Sequence, residues 1–194
     1  MAREPLYDQR LGEALRFATD AFSRKERKGT GVPYVSHLLA VTTTVMEHGG
    51  TPEQCMAAAL HDYLEDIEGS SALELEQRFG PEVARLVVAL SDTMRPLHKE
   101  PWKERKVRYL AHLTHADAGV KLISAADKLH NASTIVRDQA RMGDAIFARF
   151  TPSKDETLWY YREVIAALAH AWDHALLEEL RREVRRMHEG AQRI

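Results

Sequence analysis

Residues 60–66, LHDYLED, set a histidine and three carboxylates into seven positions directly behind the apolar run Met56-Ala57-Ala58-Ala59. On a helix, His61 and Glu65 stack one turn apart, as do Asp62 and Asp66. His61 and Asp62 then sit about 100° apart around the axis, close enough to converge on one ion. Carboxylates beside an alanine-rich face are costly unless a cation or hydrogen bonds compensate. A divalent metal compensates directly. An acidic, solvated helix end is the plain alternative.

A second polar cluster, SAADKLHN (124–131), embeds Asp127, His130 and Asn131 in an otherwise apolar helix. Asp127 and Asn131 share a face at i,i+4. A salt bridge from Asp127 to Lys128 or Lys121 would be its simplest partner. His37, in PYVSHLLAV, is a third element. Together the three segments supply two imidazoles and two carboxylates. That mixed nitrogen and oxygen set suits Mn²⁺, Fe²⁺ or Zn²⁺ and leaves positions open for water and phosphate.

Helices must position these groups, and the chain reads as helical throughout. Leu11, Ala14, Leu15, Ala18, Ala21 and Phe22 recur at helical spacing until RKGTGVP (27–33) breaks the pattern. A second helix begins near Tyr34 and ends at HGGTP (48–52). A third spans roughly Pro52 to Asp66. Ser71-Ala-Leu-Glu74 has capping-box form and opens a helix that stops at Gly80, and Pro81 starts the next. MRPLHKEP (94–101) reads as a loop. Helices follow from Trp102 and from about Asp117, with GDAIFARF a short one. Two more carry Leu158–Trp172 and Leu176–Met187. GVKLI (119–123) is the best strand candidate, in helical surroundings. The expectation is an all-α, single-domain bundle of about ten helices over residues 1–194.

The remaining bounds are brief. Lys plus Arg (27) nearly balance Asp plus Glu (29), so no global charge argues for nucleic acid or a membrane. No apolar run approaches the ~20 residues of a membrane span, and the Met1 start lacks a signal-peptide core. One cysteine, Cys55, excludes an internal disulfide and fits a reducing compartment. A cytoplasmic location is expected, and the oligomeric state is open.

His37, His61-Asp62 and Asp127 resemble the ligand pattern of the HD superfamily of metal-dependent phosphohydrolases. RKGTGVPYVSH, AAALHDYLEDI, RFGPEVARLVVALSD and LISAADKLHN narrow the likeness to the hydrolase domain of the RelA/SpoT family and its single-domain relatives. The match runs from about residue 8 to 140, LWYYREV (158–164) also fits, and helices over 153–190 would complete the fold.

The resemblance implies a 3′-pyrophosphohydrolase of the alarmones ppGpp and pppGpp. His37, His61, Asp62 and Asp127 would hold one Mn²⁺, which acidifies water and offsets phosphate charge, and Glu65 and Asp66 would manage protons. Arg27 and Lys28 match nucleotide-contacting positions, Arg27 by stacking on the base, although a solvated helix end would look the same in sequence. Asn131 matches a position near the base or ribose, and Tyr161, rather than Tyr160, is the choice for the same pocket. The chain departs from the family where Leu38 follows the first histidine in place of proline, which should matter little, where Ser133 replaces a common arginine, and in a one-residue difference of spacing from Arg27-Lys28 to His37. Adenosine alarmones, NADPH or a deoxynucleotide therefore stay open as substrates. A non-catalytic nucleotide-sensing module is the alternative from another class.

Overall fold

In the computed structural model, which describes residues 9–192, the elements are helical. In order they are α1 (Gln9–Ala21), α2 (Val35–Glu47), α3 (Pro52–Leu60), α4 (Tyr63–Asp66), α5 (Ala72–Phe79), α6 (Pro81–Leu90), α7 (Trp102–His115), α8 (Ala118–Met142), a 3-10 helix (Gly143–Arg149), α9 (Lys154–Ala169) and α10 (Ala175–Ala191). Among the described residues the only β pairing is an isolated bridge, Glu26 to Pro33. GVKLI lies inside α8: strand-like residues are overruled by the helical pattern on both sides. The expected features of the extreme amino terminus lie outside the described residues. Among the described residues, no helix is long and apolar enough to cross a membrane.

Capping chemistry sets the starts. Thr51 Oγ1 accepts from Gln54 N while Gln54 Oε1 accepts from Thr51 N, closing a box at α3. Ser153 and Glu156 do the same at α9. At α5 only half the box forms. Ser71 accepts from Glu74 N, but the Glu74 carboxylate takes the Tyr63 hydroxyl and Arg78 instead.

α8 runs through the assembly and packs on α2, α6 and α10, while α3 is enclosed by α1, α2 and α6. Residues 55–60 of α3 are fully buried. A helix apolar on all sides belongs in the interior, and its alanines let neighbouring helices approach closely. The expected helix from Pro52 to Asp66 is interrupted: α3 ends at Leu60, and Asp62 (φ −93°, ψ 0°) turns the chain before the single turn of α4. That break sits at the polar cluster itself.

Between α1 and α2, residues 27–33 form a tight hairpin. Arg27 N donates to Val32 O and Tyr34 N to Lys25 O. Gly29 and Gly31 take φ of +69° and +71°, which side chains other than glycine rarely adopt.

Candidate metal centre and nucleotide cavity

α2, the α3–α4 turn and α8 bring His37, His61 and Asp127 together, with donor atoms all within 4.8 Å of one another. His37 Nε2 lies 3.3 Å from His61 Nε2 and 3.2 Å from Asp127 Oδ1, and His61 Nε2 lies 3.8 Å from Asp127 Oδ1. Asp62 Oδ2 stands beside this trio, 3.1 Å from His61 Nε2 and 3.6 Å from His37 Nε2. Metal–ligand bonds of about 2.0–2.2 Å set neighbouring donors roughly 3–3.6 Å apart in tetrahedral or octahedral shells. The spacing therefore fits a divalent ion.

The outer nitrogens of the rings agree. His61 Nδ1 donates to Ala58 O at 2.7 Å, so in the neutral ring Nε2 carries the lone pair. His37 Nδ1 meets His130 Nδ1 at 2.8 Å. Burial, followed by the charges of His37 and Arg27, pushes His130 down to about 4. A neutral His130 can accept from His37 Nδ1–H and leave His37 Nε2 free to bind. Burial likewise lowers His37. Partners of this kind commonly fix the tautomer of a metal-bound histidine.

The carboxylates are held ionised. Burial works against Asp127, but Lys128 and the two imidazoles outweigh it and depress its pKa strongly. Lys128 contacts Asp127 Oδ2, and Asn131 Nδ2 donates to Oδ1 at 2.6 Å. Of the two salt bridges weighed from sequence, the one to Lys128 forms. Lys121 is instead buried against Thr114 O and His170 O. Asp62, opposed by burial, is lowered by His61 and accepts the Tyr34 hydroxyl at 2.7 Å.

Glu65 and Asp66 part company. Glu65 joins His37, His61, Asp62 and Asp127 in lining a cavity of about 180 Å³. Its Oε1 accepts from Asp92 N at 2.7 Å. Burial pushes its pKa up to about 7; Lys106 opposes this, and Asp92 and Asp62 add to it. Asp66 does not line that cavity: it pairs with Lys25 at 3.1 Å and Lys99 at 3.0 Å. The turn at residues 61–62 separates what an unbroken helix would have stacked.

Arg27 Nη2 donates to Asn131 Oδ1 at 2.7 Å, and the guanidinium lies 5.8 Å from the Tyr34 ring centre. Both Arg27 and Asn131 also line an adjoining cavity of about 350 Å³ walled by Trp102, Phe150, Tyr160 and Tyr161. Lys28 lines it too, with Nζ 3.4 Å from Thr151 Oγ1. The Tyr160 hydroxyl is buried without a hydrogen-bond partner, which marks a polar group awaiting one.

Sequence reasoning missed Tyr34, the role of His130, and the Asp92–Arg105–Lys106 group behind Glu65. Asp92 is contacted by Arg105 and accepts from Lys106 at 2.6 Å. Lys106 lines both cavities. An acid in the loop after α6 and two bases in α7 carry no spacing signal. Tyr34, three residues before His37 and next to the glycine hairpin, was the one within reach of inspection.

Residues 14–155 match the HD domain family, and the chain belongs to it. It is related to the hydrolase domain of the RelA/SpoT family, and the buried His37–His61–Asp127 group is consistent with the divalent-metal site typical of HD domains.

Among curated relatives, the guanosine-3′,5′-bis(diphosphate) 3′-pyrophosphohydrolase of Aquifex aeolicus is 33% identical over 135 residues, covering 70% of this chain and 19% of that protein. The bifunctional (p)ppGpp synthase/hydrolase SpoT of Escherichia coli is 34% identical over 129 residues, covering 66% and 18%. The chain thus spans under a fifth of the length of either. A solved structure described as a metazoan ortholog of SpoT that hydrolyses ppGpp superposes with a TM-score of 0.77 at 25% identity, covering 98% of this chain and 99% of that one.

Proposed function

We propose that the chain is a manganese-dependent 3′-pyrophosphohydrolase of (p)ppGpp. The observation that carries this reading is Arg27. One guanidinium lines both the metal cavity and the aromatic cavity and is bonded to Asn131, which in turn holds Asp127. A nucleotide phosphorylated on its ribose can then reach both chambers at once. The similarity to proteins named for ppGpp hydrolysis supports the choice of substrate.

The residues divide the work. His37, His61 and Asp127, with Asp62 beside them, would hold the ion, which supplies Lewis-acid charge to acidify water and offset phosphate. Glu65, with a pKa near neutrality, takes the proton from the attacking water. A new P–O bond forms at the phosphorus attached to the ribose 3′ oxygen, and the bond to that oxygen breaks. The proton then passes to the 3′ oxygen, leaving GDP or GTP and pyrophosphate. Lys106, against Glu65 and Asp92, keeps a positive charge where phosphate charge would gather. Arg27 stacks on the base, Asn131 and Tyr161 line its surroundings, and Lys28 offers a point charge. Asp66 holds the Lys25 and Lys99 side chains and takes no part in proton transfer.

Purified chain with Mn²⁺ is assayed against ppGpp, pppApp, NADPH and dGTP. Preferential release of pyrophosphate from ppGpp is the expected result. Preference for another substrate, or no turnover of any, overturns the reading.

A further inference from the structure

A third cavity, about 530 Å³, opens beside the other two. Arg27, Arg137, Arg141 and Arg149 line it against one carboxylate, Asp138. Unlike the aromatic cavity, it has no Phe, Tyr or Trp in its wall. Arg149 Nη1 binds Asp138 Oδ2 at 3.0 Å, so that carboxylate is already matched. Arg27 bonds only a neutral amide, and Arg137 only the Thr134 hydroxyl at 3.5 Å. Arg137 and Arg141 stand one turn apart on an exposed face of α8, where like charges repel. Three guanidiniums around a polar hollow are matched by an anion with several oxygens, and planar guanidinium forks suit phosphate.

The cavity is joined to the nucleotide cavity through Arg27, Thr30, Thr134, Asp138 and Arg149, which line both. A nucleotide with its 3′ phosphates at the metal cluster and its base among the rings still has one charged arm to place. We propose that this cavity receives the 5′-polyphosphate of the substrate, and that Arg137 and Arg141 are specificity-determining residues that read its length. The proposal rests on the alarmone reading above and extends it to discrimination between ppGpp and pppGpp.

The test measures dissociation constants by calorimetry on the full chain in chelator, where no turnover competes. Ligands are inorganic tripolyphosphate, pppGpp, ppGpp and guanosine 3′-diphosphate, the last lacking any 5′ phosphate. Variants are Arg137→Ser, Arg141→Ser and the pair, exposed positions where folding is checked by circular dichroism. Affinity for tripolyphosphate should fall about tenfold per arginine. The loss for nucleotides should grow with the number of 5′ phosphates. Equal losses for all three nucleotides overturn the assignment to the substrate arm and leave a site for a separate oligophosphate. Unaltered tripolyphosphate binding overturns the cavity as an anion site. Absence of hydrolysis in the manganese assay would remove the enzyme reading while leaving these binding constants measurable.

Discussion

His37 and His61 meet Nε2 to Nε2 at 3.3 Å, each with its Nδ1 already engaged, on His130 and Ala58 O respectively. Two neutral rings so arranged point lone pairs at each other beside two carboxylates. In the metal-free chain a proton relieves this. Burial disfavours it, but Asp62 and Asp127 raise His61 to about 9.

Metal binding must therefore displace a proton. At pH 7 the metal-free His61 is charged, and about one proton should leave it per Mn²⁺ bound, falling towards zero near pH 10. Calorimetry in buffers of different ionisation enthalpy reads this number directly. The same shift makes His61 a stabiliser of the metal-free fold below the ordinary histidine range, a contribution lost as pH rises through about 9. A melting temperature in chelator that does not fall over that range would contradict it.

Replacing His61 by Ala, or Asp127 by Asn, should abolish metal binding and turnover together. Asparagine is preferred to alanine at 127 because its one carbonyl oxygen can still accept from Lys128, which contacts the aspartate there. Full metal occupancy in Asp127→Asn, by elemental analysis, would remove Asp127 from the ligand set.

Glu65→Gln should keep the metal while turnover falls by roughly 10²–10⁴-fold. It should also melt higher than the parent above pH 7. The Glu65 pKa is raised, so its protonated form stabilises the fold fully below the ordinary glutamate range, and that stability is lost as pH rises through about 7. Glutamine escapes the loss and keeps an oxygen for Asp92 N. Equal melting temperatures at pH 4 and 8 for both proteins would refute the burial argument.

Arg27→Ala should raise KM for every nucleotide tested and weaken the penalty of Asn131→Ala in a double-mutant cycle, since the two side chains bond at 2.7 Å. Additive effects on KM would show that the bond does not organise the cavity. Metal content should hold in Arg27→Ala.

Much of this was legible in the sequence because it is periodic or local. The Asp127–Asn131 bond follows from i,i+4 spacing, and the helix starts at Pro52 and after Ser71 follow from a first-turn proline and a capping serine. The pairing of Asp66 with Lys25 and Lys99 was not legible, because a single non-helical residue, Asp62, breaks the helix before it. Nor was His130, whose part depends on a ring in another helix.

One consequence lies in α3. Its alanines leave no side chain able to swing aside, and the Ala58 carbonyl sets the tilt of the His61 ring. His61, at the end of α3, is thus mounted on a closely packed rod. A methyl group added within residues 55–60 should be transmitted as displacement of the His61 ring, so residues that touch no ligand would set how finely that ring is aimed. Directed evolution of this scaffold should find its freedom at the rims of the cavities and almost none in the shaft that carries His61.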